Sequence, residues 1–141
     1  LRWGRCDIKS VNLLANVLAR QRAKEAGVFE AILVREGTVT EGSVSNVMVV
    51  RNGAVQTAPE GRRILSGVTR AIVLDLARKE GIPVAESFVT REELLAASEV
   101  FLTGTTVEVL PVVRVDGHMI GGGSPGPVSQ LLSRRFEALV G

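Results

Sequence analysis

Lys9 is the side chain whose type and position best suit covalent chemistry. It lies in the segment Arg5–Ser10, just ahead of a predicted helix and therefore at the positive end of that helix's dipole. Lys24 and Lys79 instead fall in the last turns of predicted helices, where the dipole stabilises a cation. A lysine at a positive end loses its proton more readily, and the neutral amine can form a Schiff base. The alternative interpretation is a solvated residue that precedes the helix.

A carboxylate and two hydroxyl-rich turns are further candidates for chemistry. Glu41 lies in Thr40–Ser43, between two predicted hairpins, although an exposed turn residue is the alternative. The segment Leu65–Arg70 places small and hydroxyl side chains at a helix start, whose N–H groups and dipole can bind an anion; simple N-capping is the alternative. Gly104–Thr106 forms a second such turn after a strand. Together the two turns could converge on one phosphate group.

The remaining inventory excludes several other kinds of site. With one histidine and one cysteine, a zinc site of the usual N/S type cannot be assembled, and no metal is expected. His118 follows a predicted turn and is expected to be exposed. The net charge of +2 is not concentrated in a patch, and no Tyr accompanies the four Phe and one Trp, so nucleic-acid binding is not expected. No apolar run approaches the ~18 residues of a membrane span.

Hydrophobic periodicity and turn signals predict the elements that position these residues. Helices are expected over about 12–26, 67–80 and 128–140, with a short helix beginning in a capping box at Thr90–Glu93. The turns Asn52-Gly53 and Asp116-Gly117 predict hairpins. Strands are expected over Phe29–Val34, Thr38–Glu41, Asn46–Arg51, Ala54–Thr57, Val84–Val89, Val100–Thr103 and, in extended form, Val107–Val115.

The apolar spacing within two of these helices predicts which side chains they bury. The helix over 67–80 is expected to turn one face inward, formed by Val68, Ile72 and Leu76. The last helix is expected to bury four side chains, those of Val128, Leu132, Phe136 and Leu139.

The 141 residues, 45% hydrophobic and 23% charged, predict one globular α+β domain. Antiparallel hairpins are expected to form a barrel-like sheet with about three packed helices, because strands and helices do not alternate regularly. Leu1 in place of Met suggests that the sequence starts at an internal cut. The single cysteine excludes an intrachain disulfide, which favours a reducing compartment such as the cytoplasm.

Four segments, in order along the whole chain, resemble the class IV (fold type IV) pyridoxal-phosphate aminotransferases. They are Cys6–Leu14, Thr40–Asn46, Ile64–Arg70 and Thr103–Val112. This family includes D-amino-acid aminotransferases, branched-chain aminotransferases and aminodeoxychorismate lyase. The first two segments are more similar to the D-amino-acid enzymes, whereas Thr103–Val112 is closer to the branched-chain type.

The resemblance assigns roles around the ring of pyridoxal 5'-phosphate. It implies that Lys9 is the catalytic lysine, which bonds covalently to the cofactor and then moves a proton. Glu41 would pair with the protonated pyridine nitrogen, and Leu65 would pack on one face of the ring. Arg2 falls at a position near the phosphate.

The resemblance also assigns the phosphate and substrate contacts. Val68 and Thr69 would form the phosphate-binding pair at the helix start. Gly104 and Thr105 would form the second phosphate-binding turn, and the backbone of Thr106 would lie near the substrate carboxylate.

The resemblance implies a larger enzyme than this sequence. Residues 1–141 would be the C-terminal cofactor-binding domain of a two-domain homodimer whose N-terminal domain is absent, so that this chain alone has little or no activity. The implied reaction is transamination between a small amino acid, D-alanine-like first, and a 2-oxo acid. The alternatives are a branched-chain aminotransferase, an aminodeoxychorismate lyase, and an inactive fragment that binds no cofactor.

Overall fold

The computed structural model describes residues 32–35, 37–42, 45–59, 67–104 and 107–140; within 32–42 it describes the side chains of Ile32, Thr38 and Val39 alone. The helix predicted over 12–26 and the start of the strand predicted at Phe29 lie outside these residues.

The described residues form ten strands and three helices. The helices are α1 (Val68–Lys79), α2 (Arg91–Leu95) and α3 (Pro127–Val140). The strands are β1 (Ile32–Arg35), β2 (Thr38–Gly42), β3 (Asn46–Arg51), β4 (Ala54–Thr57), β5 (Val84–Glu86), β6 (Val89–Thr90), β7 (Glu99–Gly104), β8 (Glu108–Val112), β9 (Arg114–Val115) and β10 (His118–Met119).

The predicted α+β class with antiparallel hairpins and three packed helices is confirmed. A five-stranded sheet in the order β5-β4-β3-β7-β8 lies at the centre. Beside it are a three-stranded sheet, β1-β2-β6, and the two-stranded ribbon of β9 and β10. Neighbouring strands are antiparallel except for β4 and β5. In the part of the chain that the structure describes, the strands form these three separate sheets and do not close into a single barrel.

Two hairpins form where the turn residues predict them. Asn52 and Gly53 both have positive φ angles, 53° and 77°, as do Asp116 and Gly117 at 50° and 75°. These are the left-handed conformations that a two-residue type I′ turn requires, and Asn, Asp and Gly adopt them at the lowest cost. The first turn fixes the register of β3 against β4, whose bounds are those expected from the sequence.

The central sheet separates two apolar cores. On one face, Met48 and Val50 of β3 and Phe101 of β7 pack against α1 and α3. On the other face, Val47 and Val49 of β3 pack with the smaller sheet and α2. Alternation along β3 thus assigns even-numbered residues to the helical face.

Two predicted strands are wrong in extent, because the chain changes sheets within each of them. The stretch predicted over Val84–Val89 breaks at Ser87 and Phe88, since β5 pairs with β4 whereas β6 pairs with β2. The Gln56 side chain donates to Ser87 Oγ at 3.0 Å and to the Phe88 carbonyl at 3.2 Å, which holds the break in place. The stretch predicted over Val107–Val115 is likewise divided between β8 and β9.

The predicted buried faces of two helices also need correction. Val68 is 78% exposed, and α1 instead buries Arg70, Val73 and Leu74, while Ile72 and Leu76 pack at the margin of the core. The helix therefore turns a different face inward, and a buried arginine replaces an apolar side chain there.

In α3, Leu132 and Phe136 are buried as predicted and Val128 is partly buried. Leu139 is 61% exposed, which contradicts the prediction. It belongs to the last turn of α3, which therefore leaves this side chain outside the core.

Candidate active site

The start of α1 has the features of an anion-binding helix terminus. Gly67 is the N-cap residue, in an extended conformation, and it offers no side chain to accept from the first turn. The first turn contains no acidic residue. The first N–H groups of an α-helix lack partners within the helix and carry the positive end of its dipole. The N-cap residue therefore supplies no side chain to satisfy the N–H groups at this end of the helix.

Asn46, the first residue of β3, fixes where this helix start lies. Asn46 is buried, and a Cβ atom built on Gly67 would lie 2.6 Å from its Oδ1 atom. Such a distance is too short for a real Cβ contact. A side chain at position 67 would therefore displace either the Asn46 side chain or the start of α1.

Gly104 joins the same region through the sheet. Asn46 is the direct antiparallel partner of Thr103, the residue before Gly104. Directly opposed residues in an antiparallel pair project to the same face of the sheet. The end of β7 and the start of α1 are therefore brought together through Asn46.

Among the predicted site residues, the structure thus places Val68 and Thr69 near Gly104, through Asn46. Val68 and Thr69 form the first two residues of α1, the former exposed and the latter buried. Gly104 ends β7.

Of the other predicted site residues, the structure describes only the backbone of Glu41. Glu41 lies in β2, one residue before the strand ends and five residues before Asn46, with its side chain outside the description. Five further candidates lie outside the described residues altogether: Lys9, Leu65, Thr105, Thr106 and Arg2.

Two residues at this site were quoted in motifs but given no role by sequence reasoning. Asn46 and Thr103 are both buried polar residues on the helical face of the sheet. Asn46 directly precedes a run of apolar residues, and Thr103 directly follows another. A polar residue at the end of such a run is the sequence signal that could have identified both. His118, by contrast, is exposed in β10, as predicted.

Comparison with known proteins decides the family. The sequence model described as amino-transferase class IV matches residues 2–115. The chain belongs to the class IV aminotransferases. This membership confirms the family predicted from the four segments, which the match spans.

Class IV relatives of known name agree with this assignment. The chain is 52% identical, over 130 residues, to the D-alanine aminotransferase of Bacillus licheniformis, covering 92% of this chain and 46% of the relative. It thus spans about half the length of the curated relatives it matches.

Solved class IV structures share the fold. The branched-chain amino acid aminotransferase from Escherichia coli superposes with a TM-score of 0.89 at 34% identity, over 97% of this chain and 50% of that one. A second enzyme, the T.th. branched-chain amino acid aminotransferase with pyridoxamine 5'-phosphate, gives a TM-score of 0.84 at 39% identity, over 88% of this chain and 41% of that one. Within the described residues, no helix of this class IV chain is long and apolar enough to cross a membrane.

Proposed function

We propose that the full-length protein is a pyridoxal-phosphate-dependent aminotransferase that exchanges an amino group between D-alanine, or a similar small amino acid, and a 2-oxo acid. The observation that carries the proposal is the start of α1, which has a glycine as its N-cap residue and is seated on Asn46 beside Gly104. The 52% identity to a D-alanine aminotransferase supports the choice of substrate.

The donor set at this site fits the phosphate group of the cofactor. Gly67, the N-cap residue of α1, supplies no capping side chain, and the first turn contains no acidic residue. The missing Cβ of Gly67 keeps the helix start close to the sheet. Backbone N–H groups at a helix start are a common phosphate-binding arrangement. Val68 and Thr69 would therefore bind the phosphate from one side, and Gly104 with Thr105 would bind it from the other.

The remaining proposed residues act on the ring and on the substrate. Lys9 would hold the cofactor covalently and leave its amine free to carry a proton once the substrate amine displaces it. Glu41 would keep the pyridine nitrogen protonated. Leu65 would pack on the ring, and the Thr106 backbone would bind the substrate carboxylate.

Each of these groups has a role that the chemistry requires. When bound, pyridoxal 5'-phosphate supplies a ring that accepts the electron pair left on the substrate's α-carbon. The Glu41 carboxylate stabilises the positive nitrogen that makes the ring a good acceptor. Lys9 Nζ would serve as the base that removes the α-proton and later delivers it to the cofactor's former aldehyde carbon.

We further propose that this chain is the C-terminal, cofactor-binding domain of a two-domain homodimer. The chain covers about half the length of each of these relatives, which supports that arrangement. On this proposal the N-terminal domain completes the substrate pocket, and the isolated chain has little or no activity. The single cysteine, which excludes an intrachain disulfide, supports a cytoplasmic location.

A branched-chain aminotransferase is the second candidate, because the structural relatives described above carry that name. Assays of the full-length protein with D-alanine, L-leucine and L-valine as amino donors and 2-oxoglutarate as acceptor distinguish the two. A higher kcat/KM for D-alanine supports the first proposal, whereas preference for the L-donors overturns it in favour of the second. Pyruvate release from an aminated chorismate, without amino transfer, would instead identify the lyase.

The role of Lys9 is tested in the same assay. Lys9→Ala should abolish turnover in the full-length protein while leaving thermal unfolding of the cofactor-free protein close to that of the wild type. Lys79→Ala is the matched control, because Lys79 is an exposed residue of the last turn of α1, paired with Asp75 at 3.1 Å. Turnover at the wild-type rate in Lys9→Ala would overturn the assignment.

A further inference from the structure

Arg70 occupies a position that helix stability does not explain. It lies in the first turn of α1, where the dipole disfavours a cation, and its side chain is only 2% exposed. Burying a guanidinium also costs desolvation free energy, which hydrogen bonds and an opposite charge must offset. A residue held there against both costs calls for another role.

The Arg70 guanidinium joins α1 to the ends of two strands. Its Nη2 atom donates to the carbonyl oxygen of Ala58, directly after β4, at 2.9 Å. The same atom lies 2.9 Å from Oε1 of Glu86, the last residue of β5. Because β4 and β5 are parallel neighbours, Arg70 ties the first turn of the helix to adjoining strand ends.

A second set of contacts leads from those strand ends back to the helix start. Thr57, the last residue of β4, donates through its buried hydroxyl to the Val47 carbonyl of β3 at 2.8 Å. Val47 follows Asn46, whose Oδ1 lies against Gly67. We call these four side chains, Asn46, Thr57, Arg70 and Glu86, the α1 anchor.

We propose that Arg70 is a positioning residue for the cofactor's phosphate, a proposal that rests on the proposed function. Through the α1 anchor, its guanidinium sets the place and direction of the first-turn N–H groups, so that they converge with the Gly104 turn on the phosphate. Arginine is favoured because the Nη2 group of its planar guanidinium holds its two N–H bonds in fixed directions, and that one group contacts both the Ala58 carbonyl and the Glu86 carboxylate. A lysine ammonium rotates on a flexible stem and fixes no such directions.

The test compares two cofactor forms that differ only in the phosphate. Equilibrium binding of pyridoxal 5'-phosphate and of pyridoxal is measured by absorbance on full-length protein freed of cofactor. Arg70→Lys should weaken binding of the phosphorylated form about tenfold, as expected for one misdirected charge-assisted hydrogen bond, and should leave pyridoxal binding unchanged. A merely structural role would weaken both forms equally.

Two more variants keep the test decisive if Arg70→Lys fails to fold. Glu86→Gln removes the charge partner at a half-exposed position and should reduce the preference for the phosphorylated form in the same direction, by a smaller factor. Arg78→Gln is the matched control, because Arg78 lies 3.5 Å from the same Glu86 but in the last turn of α1. It should leave the preference unchanged.

The outcomes separate this inference from the proposed function. If the wild type prefers the phosphorylated form but Arg70→Lys and Glu86→Gln keep that preference, or lose both forms equally, the role of Arg70 is overturned and the proposed function stands. If the wild type shows no preference for the phosphorylated form, both proposals are overturned.

Discussion

Asn46 Oδ1 lies so close to Gly67 that a Cβ atom at position 67 would be only 2.6 Å from it. Gly67→Ala should therefore displace the start of α1 and lower the free energy of unfolding by about 1–3 kcal/mol, the usual cost of overpacking a close contact. Denaturant unfolding of the full-length protein measures this loss.

Two further variants show whether the contact between Asn46 and position 67 causes the loss of stability in Gly67→Ala. Gly122→Ala is the control, since a Cβ there would have nothing within 4 Å. Removing the opposing side chain with Asn46→Ala should make the Gly67→Ala loss smaller, because the two residues are in contact and their effects are not additive. Equal losses in both backgrounds would contradict the argument.

Two buried threonines near the site should respond oppositely to loss of their hydroxyl groups. Thr57 Oγ1 donates to the Val47 carbonyl at 2.8 Å, whereas Thr103 Oγ1 has no hydrogen-bond partner among the described residues. Thr57→Val should lower the free energy of unfolding by about 1–3 kcal/mol, because it leaves a buried carbonyl without its donor. Thr103→Val should be neutral or stabilising by up to about 1 kcal/mol, because it removes an unsatisfied polar atom. Parallel urea titrations give both values, and a larger loss in Thr103→Val than in Thr57→Val would refute this account.

Glu99 should stabilise α3 from a distance of almost thirty residues in sequence. Its buried carboxylate accepts from the backbone N–H groups of Val128 at 3.0 Å and Ser129 at 2.9 Å, as a helix cap would. Glu99→Gln should lower the free energy of unfolding by about 1–3 kcal/mol, because an amide offers one oxygen and places N–H against N–H. Glu137→Gln, at an exposed position of the same helix, should change it by less than about 0.5 kcal/mol. Similar losses in the two variants would argue against the cap.

The stability that Glu93 contributes to the folded protein should be lost in acid. The backbone N–H of Thr90 donates to its carboxylate, and the nearby Arg51 guanidinium adds to the effect, so the pKa of Glu93 lies below the ordinary 4.5. A lowered folded-state pKa contributes stability that is present above pH 4.5 and is lost as the pH falls through the folded-state value.

Thermal unfolding of Glu93→Gln at pH 7 and at successively lower pH values measures this contribution. The variant should unfold at a lower temperature than the wild type at pH 7, and the difference should shrink below pH 4.5. Glu92→Gln, on the exposed side of the same turn, is the control. A difference that stays constant with pH would contradict the charged cap.

The sequence predicted local structure best where a short motif determines the backbone. Asn52-Gly53 dictates a type I′ turn, so the bounds of β3 and β4 follow from it. The capping box at Thr90 is likewise present, with both of its hydrogen bonds formed to Glu93. Each of these features depends on residues within a few positions of one another.

Features that depend on distant partners were not predictable in this way. The apolar spacing of α1 favoured burial of Val68, yet the buried cation Arg70 occupies the inner face, since Ala58 and Glu86 supply its partners from elsewhere in the chain. The parallel pairing of β4 with β5, which breaks the strand expected over Val84–Val89, likewise depends on long-range contacts.

The candidate site shows the same division. The helix start at Val68 and Thr69 was predicted, because glycine and hydroxyl residues beside a helix start are visible in sequence. The role of Asn46 in bringing this helix start close to Gly104 was not, since only the pairing of β3 with β7 places Asn46 opposite Thr103.

The central claim, that Lys9 holds pyridoxal phosphate, is tested most directly by trapping. The full-length protein is incubated with pyridoxal 5'-phosphate, reduced with borohydride and mapped by peptide mass spectrometry, with Lys9→Ala treated in parallel. The account predicts one labelled peptide, containing Lys9, and no label in the variant. Label spread over Lys24, Lys79 and other lysines, or label that persists unchanged in Lys9→Ala, would contradict it.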